Sequence, residues 1–341
     1  MATVSSLITG GASKVIVVDD GSCTPEALTI IDRLKWVPSV QIVRLQENVG
    51  KATALKSGFK HVPHGWLIVQ TDDDTVAGDL SRPARMLSGK GKADIADIRV
   101  EVIETNSLLG AIQELDYWMI NSIVKRYQNW LRARLWLSGA SAMYTYDAAH
   151  ELLLRDPLTC TEDTEGLFRA RGQGFKVRYC SSHKAKFSTM VPETLPQLRK
   201  QWMRWCLGNA QVIRHYGLGG GNPRVCLVNL LSWLYLLVLP IPSILLLGAV
   251  HSLESLGAYG VAIGIVGAIR LRRPRLALIG IFLPLVTLAW ALHAAEGLWR
   301  SRTQPVATKS QLAWSPPARS SVAAALVSAG EESFLAADLA A

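Results

Sequence analysis

Residues 14–22 read Lys-Val-Ile-Val-Val-Asp-Asp-Gly-Ser, and residues 66–75 read Trp-Leu-Ile-Val-Gln-Thr-Asp-Asp-Asp-Thr. Each is a short apolar run that stops at a cluster of carboxylates. Between them lie a helical stretch from Pro25 to Leu34, a second apolar run from Val40 to Leu45, and another helical stretch from Lys51 to His61. Strand alternating with helix predicts an α/β domain with a mainly parallel sheet and crossover helices. In open sheets of this kind ligands sit at the carboxyl ends of the strands. Both acidic clusters fall there.

Outside this region the composition changes. The 341 residues leave room for two units of about 150 residues each. Charged residues make up 18% of the chain, below the roughly 25% usual for soluble domains. The deficit is concentrated. Val225 to Val250 and Leu276 to Ala295 contain no charged side chain, and each is long enough to cross a hydrocarbon core of about 30 Å. A shorter run covers Leu256 to Ile269. The loop from Arg270 to Arg275 holds four arginines, which the positive-inside rule places on the cytosolic face. Three spans meet that condition: out through 225–250, back through 256–269, out through 276–298. Arg300 and Arg302 then fall outside. Residues 1–11 carry no signal-peptide pattern. The expected division is a cytosolic domain over 1–222, a membrane region with two or three helices over 223–299, and a disordered Ser-, Ala- and Pro-rich tail over 300–341.

Five cysteines without a C-x-x-C pair exclude a zinc knuckle and a secreted disulfide framework. A net charge of +9 suits anionic lipid, phosphorylated substrates or nucleic acid. Much of the surplus lies beside the apolar runs, where lipid suffices as partner, and no nucleic acid is expected.

Four segments carry candidate chemistry. Asp19 and Asp20 end the first strand and suit a base, a ribose or a metal; they equally suit a turn that starts a helix. Asp72 and Asp74, two apart in an extended segment, point the same way. Such oxygens suit Mg2+ or Mn2+ completed by substrate phosphates, or form a solvated acidic loop. Thr161-Glu162-Asp163 offers a general base, or a helix start. Gln201, Arg204 and Trp205 stand at i, i+3 and i+4 on one side of a helix. They suit a diphosphate and a sugar face, or a helix lying on the membrane.

In this order the segments resemble the family 2 glycosyltransferases, closest to the membrane-embedded, often processive branch of cellulose, hyaluronan and poly-N-acetylglucosamine synthases. Asn48-Val49-Gly50-Lys51 and Ser138-Gly139-Ala140 add to the match. The resemblance implies a GT-A type nucleotide-sugar domain with a mixed, mainly parallel sheet, followed by transmembrane helices. It implies an integral membrane protein, in the plasma membrane, with the catalytic domain in the cytosol. Asp19 and Asp20 would bind the uridine part, Lys51 would lie near the diphosphate, and Asp72 and Asp74 would meet the nucleotide and its Mg2+ or Mn2+. Asp163 would be the base, and Gln201, Arg204 and Trp205 would hold the diphosphate and acceptor end.

The implied reaction moves a sugar from a UDP-sugar onto a growing β-linked polysaccharide with inversion. Single addition to a lipid acceptor, or a non-catalytic binding module, are the other readings. The strand and Pro-x-x-Asn-Glu-like segment that relatives carry ahead of Asp-Asp-Gly-Ser is not among the residues before Asp19. The resemblance therefore predicts a sheet left open where that strand would pair.

Overall fold

The computed structural model describes residues 1–89, 91–103, 106–237 and 249–307. The opening helix α1 (Ala2–Thr9) precedes β1 (Val15–Asp19). Thr24 then caps α2 (Pro25–Leu34), accepting the Ala27 N–H at 3.3 Å. Strand β2 (Val40–Arg44) returns beside β1, parallel and in register from Val15 opposite Val40 to Asp19 opposite Arg44. Helix α3 (Lys51–Phe59) starts after Gly50, whose φ of 86° lies where only glycine is unstrained.

A second sheet runs in the order β3 (Ile68–Gln70), β7 (Ala142–Tyr144), β5 (Ile95–Ile98), β8 (Val177–Cys180). A third joins β4 (Thr75–Val76), β9 (Phe187–Thr189) and β6 (Val100–Val102). The expectation of a mainly parallel sheet is corrected. Strand β7 is antiparallel to both β3 and β5, and β4 to β9. Among the described residues the β1–β2, β5–β8 and β6–β9 pairs are the parallel ones. Apolar periodicity marks a strand without reporting its direction.

No ladder joins β1 and β2 to the other strands among the described residues. Val15 donates to Ser39 and Asp19 accepts from Leu45, so the alternate residues Ile16 and Val18 turn their backbone groups away from β2. The β1–β2 pair still shares one core with the larger sheet: Val15 and Leu34 pack with Ala96, Ile98 and Met143.

Between β6 and β7 runs α5 (Leu108–Met119), continued through a π-turn into α6 (Lys125–Trp130). After β7 come α7 (Tyr146–Leu153) and α8 (Glu162–Gly172). Helix α9 (Leu195–Tyr216) opens on a reciprocal cap between Thr194 and Gln197. Helices Pro223–Leu237 and Ala249–Leu271 follow, then an almost continuous helical run Leu276–Thr303. That last run is the one described helix long and apolar enough to cross a membrane by length and composition. Part of the 225–250 run and the tail beyond residue 307 lie outside the described residues.

Candidate active site

The carboxyl end of β1 does local work first. Asp19 is buried; its Oδ1 accepts the Ser22 N–H at 2.9 Å, and Arg44 Nε lies 3.2 Å from its Oδ2. Asp20 accepts the N–H groups of Val49 (2.7 Å) and Gly50 (2.9 Å). Its carboxylate thereby fixes the turn that launches α3, and with it Lys51, the first residue of that helix.

Lys51 reaches the centre of the site. Its Nζ lies 2.6 Å from Asp72 Oδ1 and 3.7 Å from Glu162 Oε1, and donates to the Gly139 carbonyl at 3.4 Å. Burial works against its charge, but Asp72 and Glu162 prevail and hold the ammonium above the usual lysine range. Gln70 also donates to Gly139 O, at 2.8 Å.

Asp163 meets Gly139 through its other backbone group. Its Oδ2 accepts the Gly139 N–H at 2.9 Å, and its Oδ1 the Thr164 N–H at 2.6 Å. Burial, then the neighbouring Glu162 charge, push its carboxyl up to about 6; Lys51 and Arg204 pull the other way. A carboxylate of that strength is suited to take a proton near neutral pH. Gly139 is required by space: a Cβ there would lie 2.7 Å from Asp163 Oδ2 and 3.3 Å from Lys51 Nζ.

Asp74 accepts from Thr75 Oγ1 (3.2 Å) and Thr189 Oγ1 (3.5 Å). Among the described residues no three His, Cys, Asp or Glu side chains converge as a ready metal cage. One oxygen of Asp72 is engaged by Lys51 and one of Asp74 by the two threonines; carboxylate oxygens of this kind are the chemistry that serves a hard cation bound together with a phosphorylated ligand.

Helix α9 brings its motif alongside. Gly208 permits close approach, since a Cβ there would lie 2.4 Å from the Thr161 side chain. Cys160 Sγ donates to the Arg204 carbonyl at 3.3 Å. Arg204 is near enough to act on both Asp163 and Tyr117, and Tyr117 also feels Asp74. Gln201 Oε1 is buried and accepts no hydrogen bond among the described residues, a cost that a ligand donor would offset. Trp205 turns one ring face onto Trp290, at 6.0 Å and 8° between planes. The structure thus gathers Lys51, Asp72, Asp163 and Arg204, while Asp19 and Asp20 stand behind as supports of the loop.

Sequence reasoning missed what holds Gly139. Asp97 is fully buried and accepts from Lys125 Nζ at 3.1 Å, from the Ser138 N–H at 3.3 Å, and from Arg134. Lys125 also donates to Ser138 Oγ at 2.7 Å. Burial pulls the Lys125 ammonium down to about 8, against Asp97, which favours the charge. No sequence spacing reports this cluster, because its members come from three separate elements.

Comparison with known proteins gives matches of different reach. Residues 67–294 match the model of the family described as Glycosyl transferase family group 2. A poly-beta-1,6-N-acetyl-D-glucosamine synthase of Staphylococcus aureus (strain COL) is 29% identical over 203 residues, covering 59% of this chain and 48% of the relative. The synthase of the same name from Staphylococcus epidermidis is 28% identical over the same length. The chain spans about half the length of the curated relatives it matches. Among solved structures, a mannosyltransferase from Pyrobaculum calidifontis, in complex with GDP-Man and Mn2+, superimposes with a TM-score of 0.53. Its identity is 16%, over 84% of this chain and 77% of that one. The fold is GT-A-like, with mixed sheets and flanking helices.

Proposed function

The chain belongs to the family 2 glycosyltransferases, and from that premise we propose that it transfers a sugar from a UDP-sugar to the hydroxyl of a growing β-linked polysaccharide, at a membrane. The observation that carries this is that Lys51 and Asp163 both bind Gly139, one at its carbonyl and one at its N–H. A cation and a base of raised pKa flank one loop, with an arginine beside them.

In the proposed reaction the acceptor oxygen bonds to the anomeric carbon while the bond from that carbon to the diphosphate breaks. The acceptor proton passes to Asp163 as attack proceeds from the face opposite the leaving group, which inverts the centre. Lys51 and Arg204 carry positive charge toward the departing diphosphate. Gln201 Oε1 offers a buried acceptor to a sugar hydroxyl. Asp72 and Asp74 would hold Mg2+ or Mn2+, which supplies further charge to the diphosphate when bound. The curated relatives are named as polymer synthases, which favours an extended product over single addition to a lipid. The separate β1–β2 pair favours a second reading, a binding module without turnover.

The test is a radiolabelled-donor incubation of membranes carrying the chain. Labelled polymer, absent with Asp163→Asn, is expected. Donor binding with no transfer by the unmodified chain would select the second reading.

A further inference from the structure

We infer that the helical run Leu276–Thr303 lies flat in the membrane surface beneath the catalytic domain, rather than crossing the bilayer. Twenty-eight helical residues extend about 42 Å. A crossing helix would therefore put its two ends on opposite sides of the hydrocarbon core. Here both ends are fastened to the same catalytic domain. Before the run, Arg273 Nη1 lies 2.8 Å and Arg275 Nη2 3.4 Å from the Glu114 carboxylate of α5. After it, Gln211 of α9 donates to the Gln304 carbonyl at 2.8 Å, His215 Nε2 lies 2.9 Å from Pro305 O, and Ala307 donates to Leu158 O at 2.8 Å.

The middle is fastened as well. Trp290 stacks on Trp202 at 4.7 Å and lies parallel to Trp205, and it is hydrogen-bonded to the buried Asp116 of α5. A Cβ at Gly297 would strike the backbone of Cys206 and Leu207. One stripe of the helix is thus packed on α5 and α9 from end to end. No part of that contact is free to sit across a bilayer while α9 carries Arg204 into an aqueous site.

The opposite stripe is apolar and open. Leu278, Ile281, Leu285, Leu288 and Leu292 recur at three- and four-residue steps, Trp299 follows two turns on, and all are exposed, as on a helix half-sunk in the headgroup boundary. Anionic lipid is the occupant this surface fits. The exposed Arg270 and Arg272 stand at one end of the stripe. At the other, Arg302 lies 5.5 Å over the Trp299 ring, an aromatic and a cation at the depth where both are favoured. The same geometry returns Arg300 and Arg302 to the side of the Arg270–Arg275 loop. This removes the positive charge that a third span would strand outside.

The experiment uses the full chain in inside-out vesicles, with Cys23 and Cys226 replaced by serine. Single probes Pro274→Cys, Arg302→Cys and Val306→Cys are treated with a membrane-impermeant maleimide. Asp32→Cys marks the catalytic side. All three flanking probes are expected to label as fully as Asp32→Cys, with no gain on permeabilisation. Labelling of Pro274→Cys alone before permeabilisation overturns the inference. A fluorophore on Leu278→Cys, Leu285→Cys or Leu292→Cys should be quenched equally by shallow nitroxide lipids. Quenching by deep lipids at Leu285→Cys alone, or at no site, also overturns it. Neither readout involves turnover, so their outcome is separate from that of the transfer assay.

Discussion

Gly139→Ala is a one-methyl perturbation whose consequence follows from distances. The new Cβ would lie 2.7 Å from Asp163 Oδ2, whereas ordinary contact begins at 3.4 Å. The carboxylate must therefore retreat by 3.4 − 2.7, about 0.7 Å, or the loop must shift by as much. The loop resists, because Asp97 and Lys125 hold Ser138 and because Gln70 and Lys51 hold the Gly139 carbonyl. The Asp163 carboxylate yields and loses its 2.9 Å bond from the Gly139 N–H. Misplacement of a reacting group by around 1 Å costs about 100-fold in rate. We expect kcat to fall by that order, with the donor KM changed little and the unfolding midpoint kept. The assay is steady-state UDP release across donor concentrations. A Gly139→Ala enzyme with wild-type kcat would refute the placement of Asp163 at the reacting centre.

Four further outcomes follow from the same geometry. Asp163 has its carboxyl raised to about 6, so transfer should fall as pH drops through 6 and protonates the base. Lys51→Met removes a charge that lowers this value, so the limb of the kcat/KM profile should move to higher pH. In the buried cluster, Asp97→Asn strands two cations and should destabilise by about 3–5 kcal/mol, while Lys125→Met leaves an Asp97–Arg134 pair and should cost less. Chemical unfolding in detergent ranks the two, and the reverse order would contradict the reading. Trp290→Ala should lower kcat through loss of support for Trp205, and Trp290→Phe should restore most of it; equal activity in both would remove the tryptophan from any positioning role.

Much of the site was legible because strand ends concentrate carboxylates. Lys51 stands beside Asp72, and Lys51 and Arg204 lie near Asp163, and the β1, α2 and β2 boundaries follow the apolar runs closely. The helix-start reading of Thr161 illustrates a limit. Helix α8 does begin there, but Thr161 makes no side-chain cap. Glu165 turns back to bind the N–H groups of Leu158 and Thr159 instead. Strand direction was illegible, since a run such as Ala142–Tyr144 has the same period whichever way it travels. The Asp97–Lys125–Arg134 cluster was illegible because its contacts join residues 28 and 37 positions apart. The run from Leu276 reads as a span because both of its stripes are apolar, one for protein and one for lipid. Its fastening to the catalytic domain, at both ends and in the middle, distinguishes the two.

The most direct test of the central claim is UDP release from membranes containing this chain. The donors are UDP-glucose, UDP-N-acetylglucosamine, UDP-glucuronate and UDP-galactose, each with Mg2+ or Mn2+ and with chelator, beside Asp163→Asn. The account predicts metal-dependent release with one donor, abolished in the variant while nucleotide binding persists. Release that survives Asp163→Asn at the wild-type rate, or no release with any donor, would contradict it.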